Sequence, residues 1–226
     1  SIYTSYIRIM TLSVENKRKV AEFLLRIKAI QLRPNEPFTW ASGRLSPIYC
    51  DNRKTLSHPT VRTFIRQICS EEVEQRFGKV DGIAGVATGG IALGALVAQE
   101  LGLPFIYVRS SAKDHGMGNQ IEGDLSILSN VVVIEDLIST GQSSLKAVAS
   151  LREAGIEVKG LIAIFTYGFK DSDRAFANAG CPWSTLTDYE SMLDQAIQEG
   201  YITGDQRSAL DAWSLDPKAW SKDREN

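Results

Sequence analysis

Four short apolar runs rich in β-branched residues, at 83–86, 105–108, 131–134 and 161–165, alternate with stretches of helical period. No other feature of the 226-residue chain restricts its fold so sharply. A strand buried on both faces shows a continuous apolar run rather than alternation, which is the habit of parallel sheets. Parallel neighbours in turn need crossover connections, usually helices. Helical stretches at 91–101 and 143–154 supply them, the second followed by Gly155 as a C-cap. The reading is an α/β fold with a doubly wound, mainly parallel sheet.

Ser13 can cap an amphipathic helix whose apolar positions Val20, Phe23, Leu24, Ile27 and Ile30 recur at three- and four-residue intervals until Pro34 shuts it off. Phe38-Thr39-Trp40 and Pro47-Ile48-Tyr49 flank Ser42-Gly43-Arg44, the pattern of a short hairpin with glycine at the turn. Pro59 suits the first turn of a helix running toward Phe77, and helical patterning returns after Gly180 around Leu193, Ile197, Leu210 and Trp213. One domain is expected, with an N-terminal helix and hairpin over 13–57, a core sheet over 80–168 and C-terminal helices over 171–226. The nine residues before Met10 read as a leader outside the fold.

Composition removes several functions. With 25 basic and 27 acidic residues the net charge is −2, so no broad basic field holds a nucleic-acid backbone, and an anion must be met locally. No apolar run approaches the roughly 18 residues that span a bilayer. The N-terminal stretch also lacks a signal peptide's apolar segment, so the expected location is the cytoplasm, with no membrane partner. Cys50, Cys69 and Cys181 are an odd, widely spaced set that fits neither a disulfide framework nor a zinc site.

Chemistry concentrates where the third apolar run ends, in Glu135-Asp136-Leu137-Ile138-Ser139-Thr140-Gly141-Gln142-Ser143-Ser144. In open α/β sheets ligands sit beyond the carboxyl ends of the strands. Backbone amides from Thr140 to Ser144, backed by a helix N-terminus, would cradle a phosphate monoester. Carboxylates beside such a cradle accept hydrogen bonds from vicinal hydroxyls and stabilise nearby positive charge, a combination that suits a ribose 5-phosphate. Two acids there would also serve as ordinary charges at a helix start. Gly85-Val86-Ala87-Thr88-Gly89-Gly90 is a second strand-to-helix turn whose amides could hold diphosphate oxygens, although glycine at such a turn has a steric use too. The long connection 109–130 lacks helical period in its first half and puts Arg109, Lys113 and His115 on a glycine-bearing tether. A closing loop of that kind would bring positive charge to a departing diphosphate and exclude water.

The run from Val131 through Ser144 resembles the signature with which type I phosphoribosyltransferases bind 5-phosphoribosyl 1-diphosphate. Within that family, Lys113-Asp114-His115-Gly116 is similar to the catalytic loop of the orotate phosphoribosyltransferases. Phe38-Thr39-Trp40-Ala41-Ser42-Gly43-Arg44-Leu45-Ser46-Pro47 is similar to their base-covering hood, and the likeness extends from Lys19 to Trp220. The resemblance implies transfer of the phosphoribosyl group to orotate in pyrimidine biosynthesis, giving orotidine 5′-phosphate and diphosphate. Magnesium (Mg2+) would be the cofactor, held mainly by substrate oxygens with no dedicated protein metal site.

The resemblance assigns Arg109, Lys113, His115 and Asp136 to catalysis. It gives the phosphoribosyl donor to those three loop residues, to Thr88 and Gly89, and to Glu135, Asp136, Leu137, Ile138, Ser139, Thr140, Gly141, Gln142 and Ser143. It gives orotate to Ser139, Phe38 and Thr39, and it implies a homodimer whose flexible loop, 109–123, reaches the partner's site. Three positions depart from the pattern. Ala41 and Ser110 stand where many members carry lysine, and 162–168 lacks an arginine that many use for orotate, which leaves Ser139 as the candidate for the orotate carboxylate. A phosphoribosyltransferase for another base would share the 135–144 run without the hood or the 113–116 loop. A DNA-binding sensor of the donor would need a basic helix-turn-helix, for which the sequence leaves no place.

Overall fold

The computed structural model describes residues 2–111 and 120–224, with the side chains of its first helix from Val14 onward. The chain forms two compact units, Ser1–His58 with Thr187–Asn226, and Pro59–Leu186.

In the first unit, helix α1 (Ile2–Arg26) buries Val20, Ala21, Phe23, Leu24 and Leu25. One expectation fails here: Ser13 lies inside the helix rather than capping it. The helix also stops well short of Pro34, because Lys28 takes a left-handed φ of 57° and the chain turns into strand pairing. Four short strands follow: β1 (Ile30–Leu32), β2 (Phe38–Thr39), β3 (Leu45–Ser46) and β4 (Ile48–Cys50). Ile30, read as a helical position, pairs with Cys50 in the antiparallel β1–β4 ladder, a non-local contact that outweighs local period. β2 pairs with β3 around Gly43, whose φ of 82° is the left-handed conformation that glycine accepts freely. The expected second arm, 47–49, does not join this hairpin. Pro47 cannot donate to a ladder, and the residues after it belong to β4.

The second unit runs through α2 (Pro59–Phe77), β5 (Gly82–Val86), α3 (Gly89–Leu101), β6 (Phe105–Val108), β7 (Ile121–Glu122), β8 (Asn130–Ile138), α4 (Gln142–Glu153), β9 (Glu157–Thr166), α5 (Lys170–Asn178) and β10 (Trp183–Asp188). The strands form one sheet in the order β10-β9-β8-β5-β6-β7. β9, β8, β5 and β6 are mutually parallel and β7 lies antiparallel on β6, which is the doubly wound α/β sheet expected. The chain steps from β5 to β6 in one direction and from β8 to β9 in the other, so right-handed crossovers put α3 and α4 on opposite faces. On the α4 face, Val131, Val133, Ala147, Val148 and Leu151 close a core with Ala84, Ile106 and Leu161. On the other face α3 comes unusually near. A Cβ on Gly85 would stand 2.7 Å from the Gly90 carbonyl oxygen, and one on Gly94 2.7 Å from the Phe105 ring.

The last helices, α6 (Tyr189–Gln198), α7 (Gly204–Leu215) and α8 (Pro217–Lys222), return to the first unit. Their starts are capped by Asp188, by Thr203 in a capping box with Gln206, and by Asp216. α6 packs on α1, where Asp188 also receives the Lys17 ammonium at 3.1 Å. Trp213 of α7 is fully buried edge-on to Trp40, and the Leu45 amide donates to Ser221 Oγ of α8 at 2.9 Å. The stretch read as helices from 171 thus also contains β10, whose Trp183, Thr185 and Thr187 favour a strand.

Candidate active site

Successive residues of a strand face opposite sides of the sheet. Where β8 nears its end, that rule sends two neighbouring carboxyl groups to two different helices. Glu135 turns to the α4 face, where it is only 5% exposed. Ser144 Oγ donates to its Oε2 at 2.8 Å, and the Asp136 backbone N–H donates to its Oε1 at 3.0 Å. Burial chiefly, and then the Asp136 carboxyl, pushes the Glu135 acid up to about 8, while the Ser144 hydroxyl and the Asp136 amide pull the other way.

Asp136 is half-buried and lies against the first turn of α3. A Cβ on Gly89 would overlap its carboxylate, and a Cβ on Gly90 would overlap the Ile134 carbonyl oxygen. The glycines of the second motif therefore have a steric duty: they let α3 close down on β8 beside the acidic pair.

After Ile138 the chain crosses Ser139 and Thr140 and enters α4 through Gly141, whose φ is 82°. A Cβ there would also come 2.7 Å from the Phe176 ring, so two independent reasons require glycine. Thr140, Gln142 and Ser143 are exposed, Ser139 and Leu137 are half-buried, and the Ile138 side chain belongs to the core. No side chain caps α4, none caps α3 at Thr88, and neither helix has an acid in its first turn. Both N-termini thus offer first-turn N–H groups and the positive end of a helix dipole. They stand beyond β8 and β5, where the strand order reverses, one on each side of the acidic pair.

The root of the long loop adjoins this place. The Ala87 amide donates to the Val108 carbonyl at 2.9 Å, and the peptide between Ala87 and Thr88 is cis. Arg109 donates its backbone N–H to the Gln120 carbonyl at 2.7 Å, and its guanidinium stands 3.7 Å from Glu122. Gln120 accepts from Ser150 of α4 at 2.9 Å. Lys113 and His115 lie outside the described residues.

The residues read for orotate are divided between the units. Ser139 follows Ile138, whose carbonyl accepts from the Tyr167 amide at 3.2 Å, and Tyr167 stacks on Phe169 at 5.4 Å between ring centres. In the first unit, Phe38 packs on Tyr49 with the Arg33 guanidinium 4.8 Å from its ring centre, and Thr39 is exposed. Sequence reasoning missed the side-chain role of Ser144, which had been counted only for its amide, and the place of Arg33 over Phe38. Among the described residues no group of three or more His, Cys, Asp or Glu side chains could hold a metal ion, and no helix is long and apolar enough to cross a membrane.

Comparison with known proteins bears on the same residues. The chain matches the phosphoribosyl transferase domain family over residues 54–186. It is 56% identical over 204 residues to the orotate phosphoribosyltransferase of Bacteroides thetaiotaomicron, covering 90% of this chain and 96% of that one. Among solved structures, orotate phosphoribosyltransferase from Aeropyrum pernix superposes with a TM-score of 0.70 at 27% identity, over 81% of this chain and 99% of that one. The UMP synthase of Leishmania donovani superposes with a TM-score of 0.73 at 27% identity, over 88% of this chain, which spans 42% of that longer one. By domain, by sequence over nearly its whole length and by fold, the chain belongs to the orotate phosphoribosyltransferases of the phosphoribosyl transferase family.

Proposed function

We propose that the protein moves the 5-phosphoribosyl group of 5-phosphoribosyl 1-diphosphate onto orotate, giving orotidine 5′-phosphate and diphosphate for pyrimidine nucleotide synthesis. The observation that carries the residue assignments is the pair of uncapped helix N-termini flanking Glu135 and Asp136. A ligand with a phosphate at one end, a diphosphate at the other and vicinal hydroxyls between matches that arrangement.

In this reading the pyrimidine nitrogen attacks C1 as the bond from C1 to the diphosphate oxygen breaks, its electron pair leaving with diphosphate. Thr140, Gly141, Gln142 and Ser143 hold the 5′-phosphate through amides and hydroxyls, with Leu137, Ile138 and Ser139 shaping the approach by their backbone. Asp136 and Glu135 take the ribose hydroxyls, and Asp136 faces the positive charge that grows at C1. Thr88 and Gly89 hold the diphosphate through amides, and Arg109, Lys113 and His115 neutralise it as it departs. Phe38, Thr39 and Ser139 select orotate, whose carboxylate is anionic, and the proton on the attacking nitrogen leaves to the departing diphosphate or to water as the bond to C1 forms. Positioning and preorganised charge supply most of the rate.

Magnesium would fit this donor set as an ion carried in on diphosphate oxygens beside the half-buried Asp136 carboxylate. Bound that way, it would neutralise the leaving group. A cytoplasmic homodimer, with the 109–123 loop of each subunit serving the other's site and the whole chain acting as one catalytic domain, belongs to the same proposal.

Orotate absorbance followed with phosphoribosyl diphosphate and magnesium tests the proposal, with uracil, adenine and hypoxanthine as parallel acceptors. The expected loss is confined to orotate and needs both additions. Turnover of another base in preference to orotate, or none with any base, overturns it.

A further inference from the structure

Ser144 is almost completely buried, at 1% exposure, and its hydroxyl is spent on Glu135 rather than on capping its own helix. Serine in the first turn of a helix ordinarily serves the local backbone. Here it reaches from α4 across to β8, joining the helix that carries the phosphate cradle to the acid that reads the ribose. We propose that Ser144 is a positioning residue for the phosphoribosyl donor: its hydroxyl aims the Glu135 carboxyl from α4, so that filling the phosphate cradle and reading the ribose are one event.

The inference rests on the functional reading above. Among the described residues Glu135 has few charged neighbours to do this work otherwise. Across the ladder its β9 partner is Ala163, and the β5 register ends with Gly85 opposite Ile134. α4 supplies Ser144 with exposed Gln142, Ser143 and Lys146 around it, and α3 lies on the other face. Asp136 is the charged group that acts on Glu135, and it opposes ionisation. The Ser144 hydroxyl and the Asp136 amide are the two donors that favour it, and of these only the hydroxyl can be removed by substitution. An ionised carboxylate accepts from ribose hydroxyls at both oxygens, whereas a protonated one spends a site as a donor.

The test compares wild type, Ser144→Ala, Glu135→Gln and the double variant, measuring kcat and KM for phosphoribosyl diphosphate across a pH series spanning neutrality. Ser144→Ala is expected to raise KM by roughly tenfold, the size expected for one hydrogen bond to a charged group, with a smaller change in kcat. It should also move the rising limb of kcat/KM to higher pH. In the Glu135→Gln background, Ser144→Ala should add little, because its effect passes through Glu135. A Ser144→Ala profile that superposes on wild type overturns the inference, as does an undiminished penalty in the Glu135→Gln background, the mark of a purely structural role. Wild-type protein that consumes no orotate overturns the functional reading instead.

Discussion

Gly89 and Gly90 are adjacent, both at the start of α3, and both would clash if given a methyl group, yet the structure predicts opposite consequences for the two alanine variants. At Gly90 the added Cβ meets the Ile134 carbonyl oxygen, which is backbone in the middle of the sheet and cannot rotate aside. Overpacking of that kind costs up to about 3 kcal/mol, and the gain in helix propensity returns at most about 1, for a net loss near 2 kcal/mol. For a chain of this size that is a fall in Tm of about 4–8 °C. At Gly89 the obstacle is the Asp136 carboxylate, a short side chain that can swing away from the turn. Folding then loses little, but the acid proposed to face C1 leaves its place, and a misplacement of about 1 Å costs on the order of 100-fold in rate, or about 2.7 kcal/mol of transition-state stabilisation. Thermal melts beside orotate-consumption kinetics separate the two. Gly89→Ala should melt near wild type with kcat/KM down roughly 100-fold, and Gly90→Ala should lose stability first. A Gly89→Ala enzyme with wild-type kinetics would show that the contact between Asp136 and α3 does not serve catalysis.

The raised Glu135 acid makes a prediction about stability without ligand. Its folded form binds a proton up to about pH 8, whereas the unfolded chain releases it near the ordinary 4.5, so stability is greatest below the lower value, declines through that window and levels above it. Glu135→Gln should flatten that decline in Tm against pH, and a slope that is unchanged in the variant refutes the assignment. Lys113→Ala should lower kcat by about 100-fold or more while leaving the melt intact, as expected when one donor to a developing negative charge is lost. Unchanged turnover with an intact melt removes that loop residue from the mechanism.

The four core strands were legible because burial on both faces leaves an uninterrupted apolar run, a purely local signature. Their ends were not. β8 continues through Glu135 and Asp136 to Ile138, since each acid finds a helix N-terminus to face, and an acidic pair in sequence looks like the end of a strand. The close of α1 was misread for the same reason: Ile30 keeps the helical period, but Cys50 on a later strand decides its conformation. β7 has two residues and no period to detect. Within the candidate site, the 135–144 run and the Thr88-Gly89 turn stand out as motifs, while Ser144's bond to a residue nine positions earlier does not, because it depends on how α4 folds back over β8.

The doubly wound topology explains why the two acids must be adjacent. Side chains on one strand alternate faces, and α3 and α4 cover opposite faces of β8, so a single pair of neighbours addresses both helix N-termini at once. Two acids separated by one residue would both face the same helix and leave the other N-terminus without a carboxylate beside it. Adjacency also sets the chemistry apart: the acid on the α4 side is buried and held by Ser144, whereas the one on the α3 side is half-exposed at the turn beside Thr88. One strand end therefore carries a buried, hydrogen-bonded acid and a more accessible carboxylate, and a substrate lying across the switch point would meet each from its own side.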